Sequence, residues 1–494
     1  MTQSYLLAID QGTSGTTCLI MDLDLNIIAK GYTEFPSVYP QNGWMEQSSE
    51  DIWQSTLSSI EQALKKGQIN PGDLAAIGIT NQRETTILWD RKTLKPVAPA
   101  IVWQCRRTRD LCRDLKKREL EPVFHQKTGL LLDPYFSGTK IRWILDEYDL
   151  HQKARKGEIK FGTVDSFLLS RLTGGKEHAT DFTNASRTLL FNLKTLQWDQ
   201  ELAEYLQVPT QVLPEIKSSN ALFGKTRGVG VLPDGIPITG ILGDQQAALF
   251  GQAAFLPGEA KCTYGTGAFI MMNTGYEFVL SDSGLLTTVA WDIDGNTEYC
   301  LEGSAFVAGA AVQWFRDNLG LISYSAEIEE LAAKVEDSGG VFFVPALSGL
   351  GAPYWEPDAR AVFWGMTRNT NKNHLARAVL DGIALQNFTL LKSMESAARR
   401  EIKQLKVDGG AAANNLLLQF QADILQKTVY RPENLEVTAY GAAAIAAMGA
   451  GIINSRKQIK AKIKFDRNFE PGMDKERVLY YTDYWEKIVK KSYI

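Results

Sequence analysis

The chain has 494 residues, enough for two or more domains with cores of their own. Its net charge is −4, with acids and bases nearly balanced, which excludes a broad nucleic-acid surface or a polybasic tail. Five scattered cysteines without a C-x-x-C pair, and four widely separated histidines, exclude a disulfide framework and a zinc site.

In chain order, residues 5–9, 16–22 and 27–34 are short β-rich runs joined by tight turns and read as a meander. Between the first two lies Asp10-Gln11-Gly12-Thr13, an acid followed by a turn of glycine and small hydroxyl residues. Such a turn can present backbone N–H groups to phosphate oxygens, and an acid at its rim can hold a hydrated cation. Taken alone, such a turn is more often just a hairpin. Ser48 then precedes an amphipathic helix with apolar positions at Ile52, Trp53, Leu57, Ile60 and Leu64. Asn70-Pro71-Gly72 breaks the chain.

Residues 74–80 form the next strand, which delivers Asn81-Gln82-Arg83-Glu84 at its end. Neighbours within a strand point to opposite faces. Beyond the strand, Arg83 and Glu84 can both turn to one polar ligand, arginine donating to vicinal hydroxyls and the carboxylate accepting from them. Trp103 and Tyr135 read as core aromatics or as walls for the C–H face of a polyol. Gly224-Lys225-Thr226 has the tail of a P-loop, but Ser219 occupies the first glycine position and no strand feeds it. No dinucleotide fingerprint and no protein-kinase signature occurs. A buried-type strand over 236–243 ends at Asp244, before a helix pattern. Asp244 is either that helix's N-cap or a carboxylate at the carboxyl end of a strand, where open α/β sheets place ligands. There it could accept the proton of an attacking hydroxyl.

The second half repeats the plan. Strands over 260–264 and 268–273 flank Gly265-Thr266-Gly267, a helix runs over 374–398, and a strand over 404–407 ends at Asp408-Gly409-Gly410. This is a repeat of architecture rather than of sequence. A boundary near 251–258 gives domains 1–251 and 252–494, closely packed because no low-complexity linker separates them. Residues 442–450 form a helix of very small side chains, suited to close packing on a sheet or to the floor of a nucleotide cleft. The small-residue run from Gly441 to Gly451 is far shorter than the roughly 18–20 residues of a membrane span. No cleavable leader opens the sequence, so a reduced cytoplasm is the expected compartment.

Six blocks carry a family resemblance: Asp10-Gln11-Gly12-Thr13, Asn81-Gln82-Arg83-Glu84-Thr85, Trp103-Gln104-Cys105-Arg106-Arg107-Thr108, Asp133-Pro134-Tyr135-Phe136-Ser137-Gly138-Thr139-Lys140, Gly243-Asp244-Gln245-Gln246 and Tyr264-Gly265-Thr266-Gly267. In this order, over about residues 5 to 485, they resemble the FGGY family of carbohydrate kinases. The resemblance implies an α/β fold of two ribonuclease H-like domains, of the actin/hexokinase type, flanking an ATP cleft. It also implies ATP-dependent phosphorylation of glycerol, with another polyol or a ketose as the alternative substrate. Arg83, Glu84, Tyr135, Asp244 and Gln245 would hold glycerol, with Trp103 and Phe269 against its carbons and Asp244 as general base. Asp10 and Asp244 would face Mg²⁺. Gly12, Thr13, Ser14, Thr266, Gly309, Gln313, Gly410 and Asn414 would line the nucleotide site. A homo-oligomer, dimer or tetramer, is implied, with glycerol and ATP as its small-molecule partners and no nucleic acid or membrane insertion.

The chain departs from the family in places. After Thr13 the usual Thr-Ser-Ser-Arg is Ser14-Gly15-Thr16-Thr17, so Thr17 stands where an arginine would contact phosphate. A Gly-Gly-Thr-Arg loop that binds fructose 1,6-bisphosphate in some members is replaced by Leu232-Pro233-Asp234-Gly235. Residues 179–373 hold no histidine, so a phosphorylatable histidine there is not expected.

Overall fold

The computed structural model describes residues 4–356 and 358–493. Residues 1–3 and 494, the outer limits of the two expected domains, lie outside the described residues. Two mixed sheets of like plan form the frame. The first contains β1 (Tyr5–Gln11), β2 (Gly15–Asp22), β3 (Ile27–Glu34), β4 (Leu74–Asn81), β5 (Gly224–Lys225) and β6 (Pro237–Gly243), in the order β5-β6-β4-β1-β2-β3. The second contains β7 (Glu259–Tyr264), β8 (Ala268–Gly275), β9 (Leu286–Ile293), β10 (Asn296–Ala305), β11 (Gln404–Asp408), β12 (Val429–Pro432) and β13 (Phe465–Phe469), in the order β9-β10-β8-β7-β11-β12-β13. In each, antiparallel strands lie on one side of the first strand and parallel strands are added on the other; the antiparallel part is a meander in the first sheet, whereas in the second β10 inserts between β8 and β9. This is the doubled α/β architecture expected from the repeat. The would-be P-loop tail, Gly224-Lys225, is only a short edge strand.

The register explains why the candidate residues share one edge. β1, β4 and β6 run parallel, and their last residues, Gln11, Asn81 and Gly243, pair in one row. β7 and β11 are parallel too, with Thr263 opposite Asp408. Chemistry-bearing residues therefore collect at the carboxyl ends of both sets of strands, as in other open α/β sheets.

The helices are set by local sequence. In α1 (Ser49–Gly67), Ser48 caps the first turn by accepting the Asp51 N–H at 3.1 Å. Glu50 and Asp51 sit in the first turn and Lys65 and Lys66 in the last, matching the helix dipole. Its buried stripe of Ile52, Trp53, Ile60 and Leu64 packs with α3 (Val164–Leu172) in the core on one face of the first sheet. Further helices are α2 (Ser137–Glu147), α4 (Asp244–Gly251), α5 (Gly309–Asp317), α6 (Lys372–Ala398), α7 (Asn415–Leu425) and α8 (Val437–Gly449). None of the described helices is long and apolar enough to cross a membrane.

The small-residue helix α8 comes from the second half of the chain but packs on the first sheet. Its backbone approaches so closely that a Cβ on Gly78 would lie 2.0 Å from the Ala442 carbonyl oxygen, and one on Gly441 2.0 Å from that of Ala247. Thr239 Oγ1 donates to the Ala446 carbonyl at 2.8 Å. A shared apolar core joins Leu6, Ala8 and Leu19 to Met271, Trp291 and Ala443. Gly441→Ala should force α4 and α8 apart and cost about 1–3 kcal/mol. The check is a lowered urea midpoint; an unchanged midpoint would show that the contact can relax freely.

Candidate active site

The first turn is shaped by Gly12, whose N–H donates to the Gly15 carbonyl at 2.9 Å. That N–H is thereby used up. The N–H groups of Thr13 and Ser14 have no protein acceptor among the described residues. In the second half, Gly265 N–H donates to Gly267 O at 2.9 Å, and the N–H groups of Thr266 and Gly267 are likewise unused. Two turns thus each present two free backbone donors. The start of α5 closes on the second turn: Gly309 N–H reaches Gly265 O at 3.0 Å and Ala310 N–H reaches Thr266 O at 3.0 Å. Gln313 follows one turn along α5 and is exposed. Gly409, at φ +88°, passes so close to the same turn that a Cβ would lie 2.5 Å from Tyr264 O. Gly410 then opens a short 3₁₀ turn, and Asn414 caps α7 by accepting the Leu417 N–H at 2.9 Å.

Arg83 and Glu84 converge because the chain folds sharply between them and Thr85. Thr85 N–H bonds back to Arg83 O at 2.7 Å, and Glu84 takes φ +57°, a left-handed conformation rare for a glutamate. Three donors hold the Glu84 carbonyl in place: Thr86 Oγ1 at 3.0 Å, Ser137 Oγ at 3.0 Å and Lys140 Nζ at 3.2 Å. Burial pulls the Lys140 ammonium down to about 8. Gln82 ties this loop to the first turn, donating to Gln47 Oε1 at 2.9 Å, while Gln47 donates to the Thr13 carbonyl at 2.7 Å.

An aromatic wall stands beside these groups. The Trp103 ring meets Tyr135 at 5.6 Å and Phe269 at 6.3 Å, both edge-on. Trp103 Nε1 donates to Thr13 Oγ1 at 2.9 Å, so the wall is fastened to the first turn. Phe269 belongs to β8, so both halves build the wall. The loop carrying Tyr135 is anchored by a two-pronged Arg106–Asp133 pair at 2.6 and 2.9 Å. Arg107 is stacked 4.0 Å over Trp44 and pairs with Glu46 at 2.7 Å.

Asp244 is the first residue of α4, and Gly243 occupies the cap position, so the N-cap reading of Asp244 does not hold. Its Oδ1 accepts the Gln245 N–H at 2.6 Å and lies 3.0 Å from Arg83 Nε. Oδ2 takes no hydrogen bond from the described residues. Burial raises the Asp244 carboxyl, against the charges of Arg83 and Lys261. Asp10, at the end of β1, is pushed up to about 8 by burial and then by the charges of Asp244 and Glu436, with Lys30 opposing. No three His, Cys, Asp or Glu side chains gather into a metal cage among the described residues. Two repelling carboxylates beside free phosphate donors do fit Mg²⁺, which takes one or two carboxylates and completes its shell with phosphate oxygens and water. Thr17 lies directly across from Asp10 in the β1–β2 pairing. Lys30, on β3, pairs with Glu436. Asp234 accepts the Gly228 N–H at 2.7 Å and closes its own loop.

Sequence reasoning missed Arg187, Lys261 and Glu302. Glu302, on β10, takes Arg83 Nη1 at 2.6 Å and Nη2 at 3.1 Å, and also Arg187 Nη2 at 3.0 Å. Arg187 Nε reaches Glu84 Oε1 at 2.5 Å. Lys261 is buried on β7, donates to Gln245 Oε1 and reaches Thr263 Oγ1 at 2.9 Å. Each is a lone charge in an otherwise buried stretch, such as Leu301-Glu302-Gly303 or Ala260-Lys261-Cys262. That pattern was the available signal, since buried charges are rare unless paired.

Residues 5–251 match the N-terminal domain of the FGGY family of carbohydrate kinases, and residues 260–450 match its C-terminal domain. The chain belongs to this family. It is 52% identical over 491 residues to the glycerol kinase of Myxococcus xanthus, covering 99% of each chain. It is 50% identical over 493 residues to that of Carboxydothermus hydrogenoformans, covering 100% of this chain and 99% of the other. The structure is similar to that of Plasmodium falciparum glycerol kinase with ADP, at a TM-score of 0.94 and 37% identity, covering 100% of this chain and 99% of that one.

Burial alone would raise the Glu302 carboxyl, but Arg187 and Arg83 prevail and bring it from 4.5 down to about 2. A folded value below the unfolded one gives stability that is present above 4.5 and lost as pH falls toward 2. The stability gap between the unsubstituted chain and Glu302→Gln, read by urea unfolding, should therefore narrow steadily from about pH 5 to about pH 3. A constant gap would show that Glu302 keeps an ordinary acidity.

Proposed function

We propose that this chain transfers the γ-phosphoryl group of ATP to a terminal hydroxyl of glycerol, giving ADP and sn-glycerol 3-phosphate. The observation that carries this is the juxtaposition of Arg83, Glu84 and Asp244 with the Tyr135–Trp103–Phe269 wall, beside two turns with free N–H groups. A three-carbon polyol has hydroxyls for the first set and carbons for the second. Full-length relatives near 50% identity, named as glycerol kinases, support the substrate.

Arg83 donates to a substrate hydroxyl and Glu84 accepts from the polyol, with Tyr135 and Gln245 completing the polar lining. Trp103 and Phe269 cover the carbons and keep water from the transferring phosphoryl group. Asp244 takes the proton of the attacking hydroxyl, and its Oδ2 faces no competing donor among the described residues. The N–H groups of Thr13, Ser14, Thr266 and Gly267 hold phosphate oxygens and keep the nucleotide in line. Gly12 shapes the first turn. Gly309, Gln313, Gly410 and Asn414 line the remainder of the nucleotide site, all from residues 252–494. Asp10 and Asp244 would hold the Mg²⁺ that accompanies ATP, an ion that neutralises phosphate charge when bound. Five buried, unpaired thiols suit a reducing cytoplasm.

A coupled assay across polyols and ketoses should show turnover strongest with glycerol; a clear preference for a ketopentose would reject the substrate. Asp244→Asn should retain glycerol binding within a few-fold while turnover falls about 10²- to 10⁴-fold. Near-normal turnover in that variant would reject Asp244 as the base.

A further inference from the structure

Glu302 belongs to the second sheet, yet its carboxylate ends among groups of the first half. It faces Arg83 with both oxygens, at 2.6 and 3.1 Å, and takes Arg187 at 3.0 Å. Arg187 in turn holds Glu84 at 2.5 Å and stacks 5.4 Å from the Tyr135 ring. We propose that Glu302 is a positioning residue for the polyol pocket, aligning Arg83 directly and Glu84 through Arg187. The inference rests on the polyol reading of that pocket.

The donor inventory of Arg83 carries the argument. Nη1 gives one hydrogen to Glu302 and the other to Gln246 Oε1 at 3.2 Å. Nη2 gives one to Glu302, and Nε lies against Asp244. A single Nη2 hydrogen is left for a ligand. Glu302 thereby sets both the direction and the number of donors that Arg83 offers. A fork pinned by two parallel bonds cannot rotate about its long side chain.

A purely structural role is a poor account of the cluster. Buried ion clusters add little stability over apolar packing, and this one leaves Arg187 Nη1 buried without an acceptor among the described residues. The strand beside Glu302 is also docked on the first half. Ser186 Oγ meets Thr288 Oγ1 at 2.6 Å, Thr287 N–H reaches Gly129 O at 3.0 Å, and Gln246 Nε2 reaches Val289 O at 3.2 Å. The pocket of the first half is thus aligned by a residue that only the docked second half can supply.

Polyol-dependent turnover of the unsubstituted full-length chain tests the substrate reading by itself; if it turns over no polyol, both readings fall. On the polyol it does use, Glu302→Gln should raise the polyol KM about tenfold or more while the ATP KM stays within about twofold. In an Arg83→Ala background the same change should add little, because its effect acts through Arg83. Glu302→Asp, which keeps the charge but shortens the reach, should recover part of the loss. Equal rises in both KM values, no rise at all, or a full additional effect without Arg83 would each overturn the proposal. If Glu302→Gln lacks a cooperative thermal transition, Glu302→Asp is judged by the same criteria.

Discussion

Burial of alternating charge where the two halves meet is the constraint on which the rest of the structure depends. The side chains of Arg83, Glu84, Arg187 and Glu302 are each 2% exposed or less. Leaving one such charge unpaired costs about 3–5 kcal/mol, so the four must arrive together. They come from three separate places: the loop after β4, the segment after the helical turn Phe182–Ala185, and β10. The seam that brings β9 and β10 against the first half, through Ser186–Thr288 and Ser218–Asp292 at 2.5 Å, is what makes their meeting possible. The left-handed Glu84 belongs to the same constraint. Its carbonyl is pinned by three donors so that its carboxylate can face Arg187 while Arg83 faces Glu302.

The frame was legible because its signals are local. The meander, the Ser48 cap, the break at Asn70-Pro71-Gly72 and the turns after β1 and β7 depend on neighbours in sequence. The observed elements differ from the expected ones by a few residues at their ends. Asp10 lies within β1 rather than just after it, because β1 and β4 stay paired through Gln11 and Asn81. Arg83, Glu84, Trp103, Tyr135 and Phe269 were legible as a set only through the motifs that carry them.

Glu302, Lys261 and Arg187 were not legible because nothing local reveals their partners. In a sheet with one wet face, a charge between apolar neighbours points to solvent. The second sheet is covered on both faces, so that alternation misleads. Glu302 is justified by arginines 219 and 115 residues away in sequence. Gly12 shows the opposite limit. Composition pointed to Gly12 as part of a tight turn with exposed N–H groups, yet its N–H is consumed by Gly15, and the donors left free belong to Thr13 and Ser14.

Charge balance also bears on the class of substrate. Where the two halves meet, Arg83 and Arg187 offset Glu84 and Glu302, and Lys261 stands behind Asp244 and Gln245. A neutral polyol adds no net charge to this set and needs only donors and acceptors. A sugar acid would bring a carboxylate into a buried site whose two arginines are already paired, and desolvating that charge would go uncompensated. Acidic groups crowd instead around Asp10, whose carboxyl is raised by burial and by Asp244 and Glu436, with Lys30 opposing. One end of the site is therefore balanced in charge and suits an uncharged ligand, whereas at the other the crowding of carboxyl groups would be relieved by a bound cation.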